Sequence, residues 1–212
     1  MAKTRQLKDR ADRLLVEVFR SLFEEIDIEK LRAEVERLRS SNPRFEPKDQ
    51  AVVLSRRTAL RCAATGAMTG LPSGLVAVAT LGADLAYLIY QQFRLILGIA
   101  TIYGHEPSSK ERFTEALACV AYGSGVGLGK QGMAAVLESA RVEGGFLAEK
   151  VGSRLLGDRL GRMVPVVGAL SGGALNYFVV RTVGKTTIRY YESRIDPVLA
   201  DEIWAEGDRE HA

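Results

Sequence analysis

Leu71 to Gly104 is an almost wholly apolar segment with a thin polar stripe, and no other stretch limits the possible folds as strongly. In helical geometry Thr80, Asp84, Tyr87, Gln91 and Arg94 step by three and four residues, so they fall within an arc of about 80°. Val76, Val78, Leu81, Leu85, Leu88, Ile89, Phe93, Leu95 and Ile96 cover the remaining surface. A helix this apolar has to be enclosed by other helices or by lipid. A carboxylate in such surroundings is costly unless it is paired. Asp84 is therefore expected to serve either a buried polar network or a functional site.

The chain has 212 residues, enough for one domain with a sizeable core. Hydrophobic residues make up 47% and charged residues 26%, which suits an apolar interior or a protein resting on a membrane. A net charge of +3, without basic residues interleaved with aromatics, argues against nucleic acid. Cys62 and Cys119 stand alone in Ala-rich helical context, as reduced and buried thiols of a cytoplasmic protein would. His105 and His211 are the only histidines, so neither a metal site nor a cofactor is expected. Met1 to Arg13 runs into charged helix rather than an apolar stretch, unlike a secretion signal.

Elsewhere the pattern is helical and no strand alternation is found. Lys8 to Ile26 and Asp27 to Arg39 read as two helices, the first strongly amphipathic through Leu14, Leu15, Val18, Phe19, Leu22 and Phe23. Ser40 to Pro43 breaks the second. Pro47 opens a third helix to about Thr69, and the long apolar helix stops at Tyr103-Gly104. Ser108 or Ser109 caps a helix to about Tyr122. A second apolar stretch, Met163 to Val183, continues through Thr186 to Ser193. The expected fold is all-α, a single-domain helical bundle around two long apolar central helices, each opened by Gly and Pro. Residues 1–46 form amphipathic N-terminal helices and residues 47–212 the main helical domain.

Gly168 and Gly172 form a G-x-x-x-G pair that lets another helix approach closely. Asn176, one turn on, can bond across that contact. Asp84, Tyr87, Gln91, Arg94 and Asn176 thus make a candidate polar network, either fixing helix register or lining a ligand cavity. The glycine-rich run Gly123 to Gly132 is not a P-loop, because Ser124 replaces the first glycine and Gln131 follows Lys130. No nucleophile elbow and no second acid near Asp84 supports a catalytic centre. Both apolar stretches reach spanning length, but Asp84 and Arg94 lie deep in the first, and Ser171 and Asn176 in the second. Arg56, Arg57 and Arg61 precede the first, and Arg154, Arg159 and Arg162 the second, as basic flanks suited to anionic headgroups.

Ala67-Met68-Thr69-Gly70-Leu71-Pro72-Ser73-Gly74, Ala83-Asp84, Gln91-Gln92 and Ile102-Tyr103-Gly104 resemble the EcsC protein family. Val164-Pro165-Val166-Val167-Gly168, Asn176 and Tyr190-Tyr191 are similar to its second half, so the resemblance spans Asp49 to Arg194. It implies a bacterial accessory protein associated with an ABC transporter and secretion, and it supplies no catalytic residues. The expected function is non-enzymatic: a cytoplasmic protein peripheral to the inner face of the cell membrane. Its apolar helices would hold a lipid or apolar ligand between them, and its partners would be a membrane surface or lipid and a membrane protein. The competing expectations are an enzyme on a lipid-like substrate with Asp84 as acid or base, and a purely structural interaction module.

Overall fold

The computed structural model describes residues 17–69, 75–107, 111–123 and 169–195. Among these every regular element is a helix: α1 (17–24), α2 (Ile28–Ser41), α3 (Pro47–Thr69), α4 (Leu75–Ile102), α5 (Glu111–Gly123) and α6 (Ala169–Ile195). Side chains of 67–69, 75–84, 111, 122 and 169–172 lie outside the described set.

Local chemistry accounts for the helix ends. The Asp27 carboxylate caps α2 by accepting from the Lys30 amide at 2.9 Å. Asn42 closes α2, its amide donating to the Arg39 carbonyl at 3.1 Å and its side chain to the Leu38 carbonyl at 3.0 Å. Pro47 takes the first position of α3, where a missing N–H costs nothing. At the end of α4, His105 N–H reaches the Ala100 carbonyl at 2.9 Å and Gly104 N–H the Thr101 carbonyl at 3.1 Å. This is a Schellman stop, and Gly104 supplies the required positive φ of 82°. Arg39 covers the same helix end by donating to the Thr101 and Ile102 carbonyls, each at 3.2 Å.

α4 is the axle of the bundle, packed against α2, α3, α5 and α6. Ile89, Phe93, Leu95, Ile96, Leu97, Ile99 and Ala100 are all buried. That enclosure is the physical reason the segment is apolar on nearly every side. Leu85–Ile102 is long and apolar enough to cross a membrane, and 61% of it is buried inside the protein. It is the only such window among the described residues, so the expectation of two long apolar central helices holds for α4 alone. The described part of α6 carries Arg181, Lys185, Arg189, Glu192 and Arg194. Pro165 and Gly168, which precede it in sequence, lie outside the described residues, as do Pro72 and Gly74 before α4.

α3 and α6 pair antiparallel: Lys48 meets Glu192, Ser55 meets Arg181, and Cys62 meets Asn176. Gly184 makes the close approach possible, since a Cβ there would stand 2.0 Å from the Ser55 hydroxyl. Gly123 does the same for α5 on α6, where a Cβ would stand 2.6 Å from the Val183 Cα. α1 is fastened by aromatic rings: Phe19 and Phe23 meet Phe93 edge-on at 6.3 and 5.6 Å, and Phe23 meets Phe113 at 5.3 Å.

Candidate functional site

Three helices bring four arginines to one cleft. On α2, Glu34, Arg37 and Ser41 recur at helical spacing along the buried seam of Leu31, Val35 and Leu38, of which Leu38 also lines the cleft. On α3, Arg57 and Arg61 lie one turn apart, and α4 contributes Arg94. The cleft has a volume of 390 Å³ and is open to solvent. Its one carboxylate, Glu34, is shared. Oε2 accepts from Arg94 Nη2 at 2.5 Å, and Oε1 accepts from the two terminal nitrogens of Arg61 at 3.2 and 3.3 Å. Arg37 turns its Nε to the Ala33 carbonyl at 3.1 Å, and Arg57 has no hydrogen bond or ion pair among the described residues. Among the described residues four guanidiniums line the cleft against one carboxylate, a strongly positive balance.

A second polar assembly centres on buried side chains, Glu115, Arg112, Tyr190 and Tyr191, with Arg194 at its solvent edge. Glu115 on α5 sits between Arg112 and Arg194, and all but 4% of its surface is buried. The Tyr191 hydroxyl donates to Glu115 Oε2 at 3.0 Å and accepts from Arg112 Nη1 at 3.1 Å. Arg194 also donates to the Tyr190 hydroxyl at 2.9 Å. Tyr103 stacks on Tyr191 with ring centres 6.1 Å apart, and the His105 ring lies 4.9 Å from Tyr191. Burial and the Glu115 charge push the Tyr191 phenol well above its usual range, so it stays a hydrogen-bond donor. Desolvation, with the charges of Arg112 and Arg194, holds His105 below the ordinary histidine value. Glu115, Arg112 and Arg194 are ion-paired with one another, as in structural networks.

The residues singled out from sequence fall in different places. Arg57, Arg61 and Arg94 converge in the cleft, while the neighbouring Arg56 is exposed on α3 outside it. Gln91 is buried and Tyr87 half-buried on α4. Asn176 donates to the Cys62 carbonyl at 3.4 Å, so its described partner is α3 backbone. The Asp84 side chain lies outside the described residues, as do Gly168, Arg154, Arg159 and Arg162, and nothing is described around Gly172 beyond its place in α6. Sequence reading missed Glu34, Arg37, Arg112 and Glu115. Glu115 had a signal, a carboxylate directly before the apolar run Ala116 to Ala121. Glu34 and Arg37 had none, because α2 carries charges all along its outer face.

No curated protein and no solved structure matches the chain. The model of the EcsC protein family matches residues 22–195, from α1 through the end of α6. The match takes in α2 and hence Glu34 and Arg37, which lie before Asp49, where the resemblance carried by the short motifs begins. With most of its length matched, the chain belongs to the EcsC protein family.

Proposed function

We propose that this protein is a non-enzymatic accessory protein peripheral to an anionic membrane surface, on the cytoplasmic face, next to a membrane-protein partner. The observation that carries this reading is the convergence of Arg37, Arg57, Arg61 and Arg94 on one open cleft. Beside it, α3 presents Val52, Arg56 and Leu60 at four-residue steps, with Leu60 52% exposed. An apolar side chain between arginines suits a headgroup region, where the alkyl part enters and the cations meet phosphates. The enclosure of α4 within the bundle favours surface association over spanning. The EcsC resemblance supports an accessory role beside a transporter.

Co-sedimentation with phosphatidylcholine vesicles, with and without phosphatidylglycerol, tests the reading. Binding should require the anionic lipid and should fall as salt rises, because exposed charges are screened within about 10 Å at 0.1 M salt. Equal recovery in the supernatant for both vesicle types at low salt would reject it.

A further inference from the structure

We propose that the cleft between α2, α3 and α4 is a phosphate-binding site, and that Glu34 is an internal anion holding its place when no ligand is bound. The proposal rests on the membrane-surface reading only for the source of the phosphate, a lipid headgroup rather than a free ion.

Guanidinium recognises carboxylate and phosphate with the same planar fork of donors. Glu34 occupies two forks from two helices, one oxygen facing Arg94 and the other Arg61. A carboxylate has only those two oxygens. Arg57, one turn before Arg61, and the terminal nitrogens of Arg37, one turn after Glu34, form no ion pair with it. A role confined to tying α2 to α3 and α4 would explain Arg61 and Arg94 but gives Arg37 and Arg57 no reason to line the same space. A phosphate, with more acceptor oxygens, can engage both pairs. The Ser41 hydroxyl, one turn beyond Arg37, lines the same cleft and adds a neutral donor. A volume of 390 Å³ lies within the roughly 300–1,000 Å³ common for small-ligand sites.

Glu34 and the phosphate then compete for Arg61 and Arg94. Ligand entry displaces the carboxylate and leaves it near an anion, so Glu34 weakens binding while offsetting part of the charge of Arg61 and Arg94 in the empty cleft. Removing its charge should therefore tighten phosphate binding, the reverse of what damage to the fold would do.

The experiment measures inorganic phosphate by titration calorimetry in chloride buffer, and vesicle binding with and without phosphatidylglycerol. Five proteins are compared: the parent, Glu34→Gln, Arg57→Gln, Arg94→Gln and Glu36→Gln. Glu36 is an exposed α2 residue outside the cleft and matches the charge change of Glu34→Gln. Glu34→Gln should bind phosphate about tenfold more tightly, the scale of one charge-assisted hydrogen bond. Glu36→Gln should leave binding at the parental value. Arg57→Gln and Arg94→Gln should weaken it, the former without change in melting midpoint because Arg57 has no hydrogen bond or ion pair among the described residues. If Glu34→Gln binds no better than Glu36→Gln, or Arg57→Gln no worse than the parent, the site is overturned. Parental vesicle binding in every variant would overturn the site and leave the membrane reading standing. Phosphate binding with the stated shifts, but no vesicle binding by the parent, would support the site with free phosphate as its source and remove the membrane reading.

Discussion

Glu115 shows how much one side chain can decide. It is a carboxylate with 4% exposure among apolar neighbours, tolerable because Arg112, Arg194 and the Tyr191 hydroxyl saturate its oxygens. Glu115→Ala would leave two guanidiniums facing each other, one of them buried. The expected loss is about 3–5 kcal/mol, measured by denaturant unfolding. Tyr191→Phe keeps the ring stack and removes only hydrogen bonds to charged groups, so about 1.5–3 kcal/mol is expected. An unchanged midpoint in Glu115→Ala would mean the network carries no stability. His105 adds a pH dependence. Its value in the folded protein lies below the ordinary 6.5, so above 6.5 both states are neutral there. Below 6.5 the unfolded chain takes a proton that folded His105 refuses, the unfolded state binds more protons, and stability falls as pH falls. His105→Gln should flatten that slope between about pH 5 and 6.5, before carboxylates titrate. An identical slope in the variant would assign the dependence to other groups.

Helix boundaries were legible because caps and breakers act locally. Pro47, Thr69 and the Gly104 stop stand where the residue pattern puts them, as does the uninterrupted run of α6 to its last turn. Partners across helices were not legible, since spacing along one helix shows which residues share a face and nothing about what that face meets. Arg94 shares an arc with Asp84 and Gln91, yet its guanidinium reaches Glu34 on α2. The glycine of the α3–α6 contact followed the same rule. Gly168 and Gly172, singled out by their motif, lie outside the described side-chain positions, and among the described residues the close approach of α3 and α6 is at Gly184, which no spacing motif marks as a helix contact. Gly184→Ala should overpack Ser55 and cost about 1–3 kcal/mol. Ser55→Gly should cost little on packing grounds, and the double variant should recover most of the loss, because the two residues share one space. Additive losses in the double variant would place the strain of Gly184→Ala somewhere other than Ser55.

At the scale of the whole molecule, the two thiols report whether the helices hold together as one unit. Cys62 belongs to α3 and Cys119 to α5, and both helices pack on α6. Both thiols are buried in the same continuous core. Desolvation pushes Cys62 up to about 11 and Cys119 up to about 12, so at pH 8 neither offers much thiolate even where a reagent could reach it. Labelling by an aromatic disulfide reagent should therefore wait for opening of the bundle. Because one core holds α3, α4, α5 and α6, the two cysteines should react at a single common rate, far below that of a free thiol. Glu115→Ala should raise both rates together, since the network it removes joins α5 to α6 and a weaker joint makes global opening more frequent. Single variants Cys62→Ala and Cys119→Ala separate the two signals. Fast labelling of Cys119 with slow labelling of Cys62 would mean that α5 opens alone. In that case the α2–α3–α4 cleft would sit on a sub-bundle able to keep its shape while the α5 end moves, and phosphate should then slow the reaction of Cys62 without slowing that of Cys119.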